Sequence, residues 1–192
     1  MRYDPVTRLL HLALALGISA QMLVSLVMVV PKPARPANQW FEVHETLGLA
    51  LLGVVVAHWV WSLMRTWRGG EQLMLFPWFS RRMLSDLGRD IHDTATSLRR
   101  FHLPEGEGTR PLPAAVQGLG LLLGLGMAAT GAVLAFGMAP DGRMSAAVHA
   151  VEEVHESLAP LMWAYLVVHP ALGILHQLAG HHMLERVFSL RG

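Results

Sequence analysis

The 192-residue chain has no cysteine and only 15% charged residues. Without thiols it cannot carry a covalently attached c-type haem, a thiolate-bound iron–sulfur cluster, a cysteine zinc site or a disulfide. The charged fraction lies well below the roughly 25% of an average soluble domain, which argues against a water-exposed globule. A net charge of +1 gives no excess of positive charge for nucleic acid, so no nucleic-acid partner is expected. Solenoid repeats and low-complexity tracts are lacking too. What is abundant is apolar surface, at 53% hydrophobic residues, and histidine, at eleven. This combination predicts an all-α membrane protein rich in histidine.

Four segments are apolar over roughly 20 residues or more and predict transmembrane helices at about 5–30, 41–64, 113–138 and 151–179. Asp4 and Pro5 make a favourable first turn for the first, and Pro31-Lys32-Pro33 stops it. Its apolar stretch of about 22 residues contains a histidine and exceeds the 7–15-residue core of a cleaved signal, so a permanent span is expected. Trp59, Trp61 and Trp67 fall near the far end of the second span, where interfacial aromatics belong. A single four-helix bundle domain over 1–192 is the simplest architecture.

Arginine and lysine set the orientation. Arg2 and Arg8 precede the first span, Arg186 and Arg191 follow the fourth, and Arg65, Arg68, Arg81, Arg82, Arg89, Arg99, Arg100 and Arg110 lie between spans two and three. The opposite side has Lys32, Arg35 and Arg143 alone. The positive-inside rule then places both termini and the middle loop, about 67–112, in the cytoplasm. Within that loop Leu84, Leu87, Ile91 and Leu98 recur at near-helical spacing among arginines and aspartates. This predicts an amphipathic helix lying on the inner membrane surface, in contact with lipid; a platform for a cytoplasmic partner is the second reading.

Ionisable residues inside a bilayer are costly and usually functional. His11, His44, His58, His155, His169 and His176 all fall within or at the edges of spans. His44 and His58 are 14 positions apart, as are His155 and His169; each pair is separated by about 21 Å along its helix and about 40° around it, so each shares a face. His44 and His155 both open their spans on the outer side, at matching depth. His11 and His58 are both placed to meet His169 at the inner depth, and spacing does not choose between them. Paired imidazoles from facing helices suit six-coordinate haem, whose porphyrin supplies four nitrogens. A histidine-lined metal transporter is the competing reading. Such sites usually add carboxylates at the midplane, whereas Glu42, Glu45, Glu152, Glu153 and Glu156 cluster at the outer mouth. Span three has no histidine but carries Gly118, Gly120, Gly124, Gly126 and Gly131. The pattern Gly120-x-x-x-Gly124 reads either as a helix-dimer face, hence a homodimer, or as room for a flat macrocycle.

Arg8-Leu9-Leu10-His11, His44-Glu45-Thr46-Leu47-Gly48, His155-Glu156-Ser157-Leu158 and Val168-His169 together resemble the prokaryotic cytochrome b561 family. That superfamily includes the cytochrome b subunits of nickel–iron hydrogenases and formate dehydrogenases, and bacterial superoxide:ubiquinone oxidoreductases. The resemblance implies two haem b groups in a bacterial inner-membrane bundle. It places the outer haem on His44 and His155 and the inner one on His11 and His169, which leaves His58 beside the inner haem. Arg8, Arg65 and Arg68 are positioned to neutralise propionates. Exchange of electrons with quinone is implied, and His58, Gln117 and His176 form the expected quinone neighbourhood. His92 and His102 in the loop carry no assignment, His181 and His182 are expected beyond the bilayer, and His149 faces the outer side.

One departure concerns the outer surface, where Glu42, Glu45, Asp141, Glu152, Glu153 and Glu156 outnumber the three bases. A collector of superoxide anion benefits from a positive funnel, so the acidic surface favours a basic redox partner, a soluble c-type cytochrome or an enzyme subunit. Whether the chain is an enzyme in its own right is left open by the sequence. A reporter that fluoresces only in the cytoplasm is expected to be bright on either terminus, and a reporter active only after export to be silent on both. The opposite pattern would invert the topology.

Overall fold

The computed structural model describes residues 4–67, 78, 80–100 and 110–180. Expectations resting on Arg2, Arg68, His102, His181, His182, Arg186 and Arg191 lie outside the described residues. The helices are α1 (Pro5–Ser25), α2 (Gln39–Trp67), α3 (Arg81–Arg99), α4 (Pro111–Gly137) and α5 (Ala146–Leu178). Among the described residues there is no strand, and an isolated bridge joins Lys32 and Arg35.

Four helices are long and apolar enough to cross a membrane: α1, α2 as far as Arg65, α4 and α5. This is the expected set. In α1, Leu9, Leu16 and Leu23 recur every seventh position and are 68%, 65% and 60% exposed. A water-facing monomer rarely leaves so long an apolar stripe bare, whereas in a bilayer it is the surface that lipid covers.

Two helix ends differ from expectation by about five residues, and side-chain caps explain both. α1 ends at Ser25 rather than near Val30. The Asn38 side chain takes over the backbone beyond it: its Oδ1 accepts from Val29 N–H at 2.9 Å and its Nδ2 donates to the Val27 carbonyl at 3.0 Å. The same Oδ1 accepts from Phe41 N–H at 3.2 Å, so one amide closes α1 and caps α2. α5 starts at Ala146, five residues before the apolar pattern suggests. Ser145 is its cap, with Oγ accepting from Val148 N–H at 3.3 Å and its carbonyl from His149 N–H at 2.9 Å. Between α1 and α2, Lys32 and Arg35 exchange backbone hydrogen bonds of 2.9 and 2.8 Å across Pro33-Ala34. Proline fixes the first corner of this turn, and Ala34 takes the left-handed φ of 70° that glycine adopts more readily. Gly142, with φ 79°, is required where it stands, because a Cβ there would collide with the Pro31 backbone.

The chain divides into two compact units. One comprises Pro5–Trp59 and Leu123–Leu166. Its buried apolar residues include Met22, Leu51, Val55 and Met162, and α1 meets α2 where Leu51 fills the space a Cβ at Gly17 would need. The other comprises residues 1–4, Val60–Leu122 and Val167 onward. Here Arg65 near the end of α2 pairs with Asp4 at 2.5 Å. Arg65, expected near a propionate, thus has a carboxylate beside its guanidinium, at the residue before α1.

The same unit contains α3, the amphipathic helix expected in the middle loop. Ser80 caps it, accepting from Met83 N–H at 3.4 Å. Leu87 is buried, while Leu84, Ile91 and Leu98 form an exposed stripe at seven-residue spacing. Asp90 fastens α3 to the start of α4. Its Oδ1 accepts from Arg110 Nε at 2.9 Å and from Arg110 Nη2, and its Oδ2 accepts from Leu112 N–H at 2.9 Å. Arg110 also donates to Thr94 Oγ1 at 2.8 Å. Because Asp90 is only 9% exposed, losing it leaves a half-buried guanidinium and a helix N–H without their acceptor. Asp90→Ala is expected to cost about 2 kcal/mol, read as a lower thermal unfolding midpoint in detergent and faster proteolysis around α3. An unchanged midpoint would show that α3 is not held this way.

Candidate functional site

His44 sits in the second turn of α2, the helix that Asn38 caps. Its carbonyl accepts a hydrogen bond from Gln21 Nε2 of α1 at 2.8 Å. Gly48, one turn further along, gives this amide room, since a Cβ there would stand 3.0 Å from the same Nε2. The Gln21 amide therefore lies across the α2 backbone and fixes the height of His44. His44 Nδ1 is sealed from solvent and makes no hydrogen bond among the described residues, and the same holds for Gln21 Oε1.

His155 lies in the third turn of α5. Its Nδ1 is 2.8 Å from Thr130 Oγ1 of α4. The next residue, Gly131, leaves room for the ring: a Cβ there would come within 3.3 Å of His155 Cε1. Gly126 gives similar clearance to Leu158 of α5, at 3.3 Å, while Gly124 faces Val55 of α2 at 3.8 Å. These glycines of α4 thus pack on neighbouring helices of their own bundle, and one of them packs on an imidazole. His44 and His155 belong to one compact unit and are near enough for a charge on one to bear on the other.

The remaining candidates divide between the units. Arg8, His11 and His58 belong to the same unit as the His44–His155 pair; His58 is buried, while Arg8 and His11 are half-buried. Gln117, His169 and His176 belong to the other unit, and all three are half-buried. His11 Nδ1 is sealed from solvent, as is that of His44. Sequence reasoning missed Gln21 and Thr130. The available signal was polarity: each is an amide or hydroxyl within a span where such groups are costly.

Charge is concentrated next to the His44–His155 end. Asp141 pairs with Arg143, whose backbone N–H and guanidinium hold the Asp141 carboxyl below the usual carboxylate range. His149 contacts Glu152 at 2.9 Å and Glu153 at 3.7 Å. Lys32 and Arg35 share a cavity of about 250 Å³ with Glu152 and Glu156. Of the three bases, Arg143 is ion-paired, and Lys32 and Arg35 line a cavity that two carboxylates also line.

The family model of prokaryotic cytochrome b561 matches residues 2–189. The chain belongs to this family. It is a multi-pass membrane protein, a cytochrome b561 of electron transfer, and b-type haem is the cofactor the family implies. No curated protein and no solved structure matches the chain. The donor chemistry at the His44–His155 end fits haem. Two imidazoles suffice because the porphyrin brings four nitrogens of its own, and Gly131 keeps the His155 ring uncrowded. A bare transition-metal ion would need more protein ligands, and among the described residues no group of three His, Asp or Glu side chains is placed to hold one.

Proposed function

We propose that this cytochrome b561 is a dihaem electron carrier that passes single electrons across the bacterial inner membrane between an outer-side redox partner and the quinone pool. The observation that carries the reading is the convergence of His44 and His155, from two separate spans, with one ring supported by Thr130 and the other sealed at Nδ1. On this reading His44 and His155 hold the outer haem, and His11 and His169 hold the inner one. When bound, haem supplies the one-electron chemistry, and the protein tunes it through ligands, burial and hydrogen bonds.

Each residue has a physical role. The apolar spans exclude water and lower the local dielectric, which strengthens every hydrogen bond made to a ligand ring. Gln21 holds the His44 backbone, and Gly131 leaves room for the His155 ring against α4. Arg8, one helical turn before His11, is placed to balance propionate charge near the inner site. His58, Gln117 and His176 are the groups assigned to quinone, since its reduction takes protons as well as electrons and imidazole titrates near neutrality.

The partner side rests on charge. With Arg143 tied to Asp141, and Lys32 and Arg35 sharing a cavity with Glu152 and Glu156, the outer surface has no surplus of positive charge to draw in superoxide. It suits a basic partner instead, a soluble c-type cytochrome or the subunit of a larger enzyme.

Purified protein is expected to contain about two b-type haems per chain and to be reoxidised by added quinone after reduction. His44→Ala and His155→Ala should each remove one haem, His11→Ala and His169→Ala the other, and His58→Ala neither. Loss of haem in His58→Ala with retention in His11→Ala would reassign the inner ligand. A colourless protein from haem-supplied cells would overturn the reading altogether.

A further inference from the structure

The two imidazoles brought together near one end of the bundle are held in unlike ways, and the difference has a chemical consequence. A threonine hydroxyl has one hydrogen to give and two lone pairs to accept with. Thr130 Oγ1 lies 2.7 Å from the Gly126 carbonyl and 3.1 Å from the Met127 carbonyl, both of which can only accept. Its hydrogen is therefore committed to the backbone of α4. Toward His155 the oxygen is left as an acceptor, so at 2.8 Å the proton between them belongs to His155 Nδ1.

We infer that Thr130 is a positioning residue that fixes His155 in the tautomer protonated at Nδ1, leaving Nε2 as the lone-pair donor to the outer haem iron. The inference rests on the proposed role of His155 as a haem ligand and goes beyond it, because it makes the two axial ligands unequal. An acceptor on the far N–H of a ligating imidazole sets its orientation and raises its basicity. His44 has no hydrogen bond at Nδ1 among the described residues; its support acts on its carbonyl through Gln21. The more basic ligand is thus His155, and it favours the ferric over the ferrous state of the haem it holds.

The test compares Thr130→Val, which keeps the shape and removes the acceptor, with Thr130→Ser, which restores it. Both are purified with haem bound and examined by redox titration and by the low-temperature electron paramagnetic resonance of each haem. In Thr130→Val both haems remain, and the ferric-to-ferrous ratio of one of them at fixed ambient potential falls about tenfold, a rise of about 59 mV for a one-electron couple. The resonance of that haem shifts, and the other haem is untouched. Thr130→Ser titrates within about twofold of the parent. Should Thr130→Val fail to accumulate, Thr130→Ala reads the same quantities. His155→Ala separates ligation from positioning. If it retains both haems, the ligand assignment fails and Thr130 falls with it; if it loses one haem while the Thr130 variants leave midpoint and resonance unchanged, the inference about Thr130 alone is overturned.

Discussion

Inside a bilayer there is no water to take up a stray hydrogen bond, so each polar side chain in a span must be satisfied by the protein or by something the protein binds. Much of this molecule follows from that constraint. Thr130 turns its hydrogen back onto its own helix, as Ser19 does onto Ala15 at 2.7 Å. Gln21 donates across to α2. His44 Nδ1 and Gln21 Oε1 are exceptions, both sealed and without a hydrogen bond among the described residues. In a span an unused imidazole nitrogen is expensive, and its presence in a chain of a haem-binding family directs attention to the ring that bears it.

At the ends of the spans the same requirement produces caps rather than ligands. The four free N–H groups of a helix start need acceptors, and three junctions meet the need with different chemistry. Asn38 serves two helices at once, Ser145 begins α5, and Asp90 reaches from the amphipathic α3 to the first turn of α4. The Asp90 arrangement also explains how a helix with an exposed Leu84–Ile91–Leu98 stripe stays attached to the bundle: its buried side is fixed by charge as well as by Leu87.

The spans and the amphipathic helix were legible because each depends on periodicity within one helix. Helix ends were less so. Apolar character runs on to Val30, but the amide of Asn38, eight residues later in sequence, decides where α1 stops. For α5 the apolar run sets a start near 151, but the cap that begins the helix is Ser145, six residues earlier in sequence. Thr130 and Gln21 were legible only as polar groups within spans and not as supports, since periodicity says which residues share a face and not which neighbouring helix that face meets. The glycines show the same limit: Gly120-x-x-x-Gly124 stood out as a motif, yet the glycine that lies against an imidazole is Gly131.

These contacts give the helices around the His44–His155 pair distinct roles. α2 and α5 supply the two rings, while α1 and α4 supply none there and act on the ring-bearing helices from outside. Gln21 of α1 grips a backbone carbonyl, so its hold on His44 sets position without touching the electronics of the ring. Thr130 of α4 grips a ring nitrogen, so its hold on His155 sets orientation and basicity together. A histidine-free, glycine-rich span is well suited to the second of these roles. Glycine lets the imidazole approach the helix closely, and a single threonine placed one residue before that glycine meets the nitrogen that the approach exposes. On the dihaem reading, then, the span that brings no ligand is the one that decides how strongly a ligand donates.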